Sequence, residues 1–309
     1  MRAKTGLAIG ALTGGLLSLT SCIVGVGDWE RFSKEFHSSY PLKPGGRLTV
    51  ETFNGSVDIS GWDEDTVDIS GTKYGPTQEE ADNLKVDIEA RGDSVSVRVP
   101  RPTDRRNNQG ARLAIKVPRN TLLERITTSN SSIRTEDGAG PARLRTSNGS
   151  IHVVDLRGDL EADTTNSSIE AQGIRGNLHA HTSNGHIRAE RVDGSLEANT
   201  SNNGVTIDIQ RPDKPVRIET TNSGVELNLP PNFSSSVHID TSNGQITLRM
   251  GTGANARISA RTSNSSIDTD FEVRAQGELS RNRLEGEIGS GGPLIELTTS
   301  NSGIHLLKR

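Results

Sequence analysis

The sequence predicts an all-β protein: a single-domain, parallel β-helix-like β-solenoid of about 18–21-residue coils, with one short helix near its N-terminal end. Two observations lead there. First, the pattern Thr-x-Asn-x-x-[Ile/Val] occurs ten times, at Asn54, Asn130, Asn148, Asn166, Asn184, Asn202, Asn222, Asn243, Asn264 and Asn301. From Asn130 to Asn202 the spacing is strictly even, and Gly140, Gly158, Gly176 and Gly194 fall at the same offset from successive Asn residues. Second, apolar and polar residues alternate within each period, as in GDLEADTTNSSIEAQGIRG (158–176). Period-two alternation marks a strand with one buried face. Each unit therefore reads as strand, Asn corner, strand, Gly corner.

A unit this short cannot bury its apolar face alone, whereas like units stacked about 4.8 Å apart can. Inward ladders follow, with Ile133, Ile151, Ile169 and Ile187 in one column and Leu144, Ala162, Ala180 and Ala198 in another. In LRTSNGSIHV (144–153), Thr146 and Ile151 should point inward, Asn148 should hold the corner, and Arg145 and His152 should face solvent. An aromatic content of only 3% suits such a narrow interior and would starve a wide core. Polarity of this degree also suits disorder, but disordered chains lack regular alternation.

In chain order, residues 1–21 read as a lipoprotein signal peptide. MRAK is basic, and GLAIGALTGGLLSL is apolar but too short and Gly-rich for a stable span. Leu19-Thr20-Ser21-Cys22 resembles the lipobox of bacterial lipoproteins, in which the Cys is lipidated and becomes the new N-terminus. Cys22 is the only Cys, and lipidation accounts for an odd thiol in an exported chain. Such an anchor ties a protein to a membrane without spanning it. Loss of Arg2 and Lys4 with the leader takes the net charge from −4 to −6, a mild acidity that argues against nucleic acid or anionic lipid as partner.

Residues 22–46 form the lipidated tether and lead-in, and 47–118 an N-terminal β region. The stretch 32–62 holds most of the aromatics and is expected to cap the open end of the solenoid. Thr77-Gln78-Glu79-Glu80 is a capping-box pattern that opens one short helix ending near Leu84, followed by strands at 86–90 and 94–100. Residues 119–309 are the repeat solenoid, its period stretching to 20 or 21 after Asn202. The segment 272–293 interrupts the last interval and is expected as a looped-out or irregular coil.

The Asn corners can stack into a side-chain amide ladder, and Asn or Gly tolerates the left-handed backbone of a corner. Asn54, Asn130, Asn148, Asn166 and Asn264 also open N-x-[ST] sequons, yet the repeat needs small polar residues there regardless, so corners are preferred to glycan acceptors. Outward positions form columns, Arg143, Glu161, His179, Glu197 and beside them Arg145, Asp163, His181, Asn199; opposite charges there stabilise cross-strand pairs modestly.

His179 and His181 share a strand face and are the weak candidates for a zinc or copper site. Glu161 and Asp163 beside them are ion-pair partners as readily as ligands, so a solvated face is preferred and no metal or other cofactor is expected. The serines lack a nucleophile-elbow sequence. A sugar-cleaving enzyme would need two carboxylates facing one glycosidic bond, whereas Glu161, Asp163, Glu170 and Glu190 alternate with cations inside the repeat. No catalytic residue is expected.

Taken together, YPLKPGGRLTVETFNGSVDISGW, TQEEADNL, ARLAIKVPRNTLLERITTSNSSI and IELTTSNSGIHL resemble the DUF4097 family of adhesin-like, toast-rack β-solenoid proteins, over roughly residues 40–309. The resemblance implies an extracytoplasmic solenoid, often membrane-tethered, with roles in adhesion or in sensing envelope ligands, and it implies no catalytic residues. The expectation is a non-enzymatic cell-envelope lipoprotein, periplasmic or cell-surface facing. It would be anchored through Cys22 and present its solenoid to an envelope protein or polysaccharide. The alternatives are a periplasmic sensor or scaffold of an envelope-stress system and a carbohydrate-active enzyme on a β-helix. In the first case affinity should come from outward side chains and loops, particularly 101–110 and 272–293.

Overall fold

The alternation on either side of each Asn becomes two strands per coil. In the Asn166 coil these are Leu160–Thr164 and Ile169–Ile174, each with buried residues at alternate positions. The computed structural model describes residues 32–102, 108–211, 214–276 and 280–309. Strands that precede an Asn corner join one 14-stranded sheet, and those that follow it join a facing sheet of 13.

From the Asn130 coil to the Asn243 coil all neighbouring strands are parallel, and their register is continuous except for shifts at Ala142–Leu144 and Glu190–Val192. Ile133, Ile151, Ile169, Ile187, Val205, Val225 and Ile246 stack in one line. On the facing sheet Leu144, Ala162, Ala180, Ala198 and Ile218 do the same. None of these is more than 2% exposed, and each fully buried Ile or Leu contributes about 2 kcal/mol through its lost apolar surface. Thr146 and Ile151 are buried, Arg145 is exposed and His152 is half-buried. The gap between the sheets is narrow. No aromatic residue occurs between Asn130 and Asn202, and the buried Phe53, Phe233 and Phe271 all lie outside that stretch.

At the second corner backbone lies directly on backbone. A Cβ on Gly176 would stand 2.4 Å from the Gly158 carbonyl oxygen, and one on Gly194 2.2 Å from that of Gly176. Any side chain would push adjacent coils apart, which accounts for glycine in this column.

Chain order and stack order part company at both ends. The Asn54 coil, Arg47–Glu51 and Val57–Trp62, is interior. It lies between the Asn130 coil and a coil lacking the Asn motif, built from Ser94–Arg98 and Gly110–Pro118. The expected cap over 32–62 is therefore corrected: only its first part, Phe32–Pro41, is terminal. That strand pairs antiparallel with Thr66–Gly75, which pairs antiparallel with Gly110–Pro118, while Asp87–Arg91 covers Ser94–Arg98. The helix Gln78–Asn83 packs on the first two of these strands. Thr77 Oγ1 accepts the Glu80 N–H at 3.2 Å, the helix-opening bond of the capping-box pattern.

At the other end the last coil in sequence, Leu294–Thr299 and Ile304–Lys308, is inserted between the Asn243 and Asn264 coils. The segment expected to be irregular instead carries Val273–Ala275 and Arg283–Ile288. The second of these lies antiparallel on Ala256–Thr262 and carries the first on its far side. A coil left terminal would expose a row of unpaired N–H and C=O groups, and short antiparallel strands blunt that edge.

Candidate functional site

The Asn corner forms one continuous file of amides. Each Asn Nδ2 donates to the Asn Oδ1 of the preceding coil in the stack: Asn148 to Asn130 at 2.8 Å, Asn166 to Asn148 at 2.7 Å and Asn184 to Asn166 at 2.8 Å. Asn130 reaches Asn54, and Asn202, Asn222 and Asn243 continue upward. The file then runs through Asn301 to Asn264, following the stack and not the chain. Asn54 opens it by donating to the Gln109 carbonyl at 3.0 Å.

Beneath the amides lies a second ladder. The buried Thr182 hydroxyl donates to the Ser167 carbonyl at 3.1 Å and accepts the Gly185 N–H at 3.1 Å. Thr164 and Thr200 donate likewise to Gly149 and Gly185. Sequence reasoning placed these threonines inward without a use for their hydroxyls. The available signal was that Thr holds all ten positions where Val would fill the same volume. Thr220 is the exception: its hydroxyl has no partner among the described residues. The preceding corner carries Asn203, whose side chain turns onto the Gly204 N–H at 2.9 Å. The polar groups of this edge largely bond one another and form a spine along the stack.

The outer faces carry paired charges. Arg143 meets Glu161 at 3.0 Å and His179 Nδ1 meets Glu197 at 3.3 Å, along an open groove of about 490 Å³. Asp163 and His181 are register neighbours beside them. On the other sheet His152 pairs with Glu170 at 3.0 Å and Arg188 Nε with Glu190 at 2.8 Å. Exposed pairs of this kind each contribute at most about 1 kcal/mol. His179 and His181 thus share a face, with His179 turned to a carboxylate. Among the described residues no group of three or more His, Cys, Asp and Glu could hold a metal ion. His186, beyond the Asn corner, is half-buried; burial, and then the charge of Arg188, hold its pKa below the ordinary imidazole value.

The place where the regular pattern is locally strained lies near the Gly corner. Asp137, Asp155 and Arg191 have φ of 55°, 53° and 55° and are the non-glycine residues with positive φ among those described. With Gly173, at φ 72°, they form one column, each at the same position of its coil. A Cβ on Gly173 would stand 2.3 Å from Asp155 Oδ1, so glycine leaves room for that carboxylate, which Arg191 approaches to 3.8 Å. Against this column lies a cleft of about 230 Å³ lined by Arg119, Asp137, Asp155, Arg157 and Arg175. Arg119 is engaged by Asp63 at 2.8 Å, and this hydrogen bond and charge hold the Asp63 carboxyl below the usual range. A larger groove of about 590 Å³ near the N-terminal end is lined by Glu35, His37, Asp58 and Arg112, with His37 bonded to Asp68 at 2.5 Å.

Sequence reasoning did not single out the strained column. Its signal was Asp, Asp and Gly at one fixed offset from successive corner Asn residues, residue types that tolerate left-handed backbone. Cys22 and the signal peptide lie outside the described residues, as do 103–107 and 277–279 of the two loops expected to bind. Among the described residues no helix is long and apolar enough to cross a membrane.

A family model described as Toastrack DUF4097 matches residues 46–265. No curated protein matches the chain. Among solved structures it is similar to a candidate cell adhesion protein from Clostridium sporogenes, with 14% identity over 89% of this chain and 100% of that one, at a TM-score of 0.25. A candidate lipid binding protein from Parabacteroides distasonis shares 14% identity over 88% of this chain and 96% of that one, at 0.43. A candidate adhesin from Bacteroides fragilis shares 14% over 89% and 97%, at 0.34.

Proposed function

The chain belongs to the Toastrack DUF4097 family, and from that premise we propose a non-enzymatic, lipid-anchored module of the cell envelope that holds a long polar face away from the membrane for adhesion. The observation that carries the reading is the pair of continuous sheets, 13 and 14 strands wide. At about 4.8 Å per strand they make faces roughly 60 Å long. Ladders fill the interior, so affinity is spread along an outward surface of repeated charges. Such a surface suits a polar, repetitive partner such as an envelope polysaccharide. The lipobox-like Leu19-Thr20-Ser21-Cys22 supports the anchor and an exported location, periplasmic or at the cell surface.

Cell fractionation of a Cys22→Ala variant tests the anchor: the native chain should sediment with membranes and the variant should not, and equal sedimentation would overturn it. Retention of cells on a polysaccharide-coated surface, with and without the native chain, tests adhesion; equal retention would overturn that part.

A further inference from the structure

We propose that the cleft near the Gly corner binds an acidic sugar residue, with Arg157 and Arg175 holding its anionic group and the carboxylates of Asp137 and Asp155 accepting its hydroxyls. The inference rests on the reading of the solenoid as an envelope-binding module and names the ligand class of one site on it.

Charge is the first support. On the open faces outward charges meet opposite charges, as Arg143 meets Glu161 and His152 meets Glu170. In the cleft, Arg157 and Arg175 stand at equivalent positions of adjacent coils, so their Cα atoms are about 5 Å apart. The ion pairs of this region, Arg119 with Asp63 and Arg191 with Asp155, leave both of them out. In the next coil Arg175 has Asp193 as its register neighbour, but no ion pair among the described residues engages either guanidinium; like charges on neighbouring strands repel, and a bound anion relieves that repulsion. Their backbones are fixed, since the Arg157 N–H donates to the Gly138 carbonyl and the Arg175 N–H to that of Leu156, both at 2.8 Å. Planar guanidinium forks on a rigid base suit a carboxylate or phosphate.

Strain is the second support and is independent of charge. Asp137 and Asp155 also occupy equivalent positions of adjacent coils, and both adopt left-handed backbone. Asp tolerates this backbone better than most residues with a side chain, yet it still carries a cost, and such conformations collect at binding sites. Here they set two carboxylates beside two guanidiniums.

The ligand class follows from the combination. A free inorganic anion would engage the arginines and make no use of the carboxylates, while a neutral sugar would leave the arginines unused. A sugar ring bearing a carboxylate or phosphate matches both, and a cleft of about 230 Å³ accommodates a single unit of a chain.

Calorimetric titration of the full mature chain with tetragalacturonate tests this. Saturable binding is expected, weakening as salt rises, with an affinity loss of at least about tenfold in R157Q/R175Q and a clear loss in D137N/D155N, whose Asn residues keep the left-handed backbone. The control R143Q, on the open face, should bind as the native chain does, and thermal melts should show all three variants folded. Undiminished binding by R157Q/R175Q would overturn the site. Galactotetraose or inorganic phosphate binding as tightly as tetragalacturonate would overturn the acidic-sugar assignment. If native chain and R157Q/R175Q captured an envelope polysaccharide extract equally, only this inference would fall; if the native chain captured none, the binding-module reading would fall with it.

Discussion

Between the Asn130 and Asn202 coils each interior strand has as neighbours the strands one period before and after it, whereas at either end the neighbour comes from elsewhere in the chain. The middle grows by identity: one pattern supplies the inward ladder, the corner amide and the pairing partner of the next coil. A repeat that ends by identity leaves a row of free backbone groups open to pairing. Antiparallel strands close the N-terminal end of both sheets and the far end of the 14-stranded one, while the 13-stranded sheet ends on the three-residue Ile267–Thr269, paired parallel; every antiparallel ladder among the described residues lies at one end or the other.

The contrast predicts unequal responses to deletion, the largest effect expected. Removing 159–176 joins Gly158 to Asn177 one whole period later and should give a shorter solenoid that melts cooperatively. Removing 294–309 takes away the strands that join the Asn243 and Asn264 coils on both sheets. It should lower the melting temperature by about 10 °C or more and open 251–293 to protease. Equal losses in circular-dichroism melts would break the distinction.

The amide file sharpens it at single residues. Asn166 both donates and accepts in the file, while Asn264 lies at its last step and donates only. Asn166→Ala should cost about 1–2 kcal/mol in urea unfolding and Asn264→Ala about half that; equal costs would mean that the file does not act as a ladder.

The smallest expected effect concerns the threonines. Thr182→Val removes a hydroxyl with two partners and should cost about 1 kcal/mol, whereas Thr220→Val removes a buried hydroxyl with no partner among the described residues and should be neutral or slightly stabilising. A similar cost at both positions would show that volume, not hydrogen bonding, selects Thr.

The regular coils were legible because each assignment concerned which way a residue points. Ile151, Ala162 and Asn148 follow from period-two alternation and from the even spacing of the Asn corners, both local in origin. The order of coils at the ends was not legible in that way. The Asn54, Asn264 and Asn301 coils carry the same motif as the rest, so the local pattern does not say which sits beside which. The only hint lay in the two long intervals, Asn54 to Asn130 and Asn264 to Asn301. The cleft was hidden for a related reason: Arg157 and Arg175 look like ordinary outward residues until the left-handed Asp137 and Asp155 are seen beside them.

The sequence by itself determined the coil: its two strands, its Asn and Gly corners, and the division of side chains between interior and solvent, because backbone geometry forces those choices residue by residue. Only the tertiary structure decided that the last coil slots beneath the one before it, that residues 47–62 are interior, and that two arginines and two aspartates share one strained corner. Those outcomes depend on long-range strand pairing among nearly interchangeable coils, where loop length and the need to cover open edges choose between arrangements that the local pattern leaves equivalent.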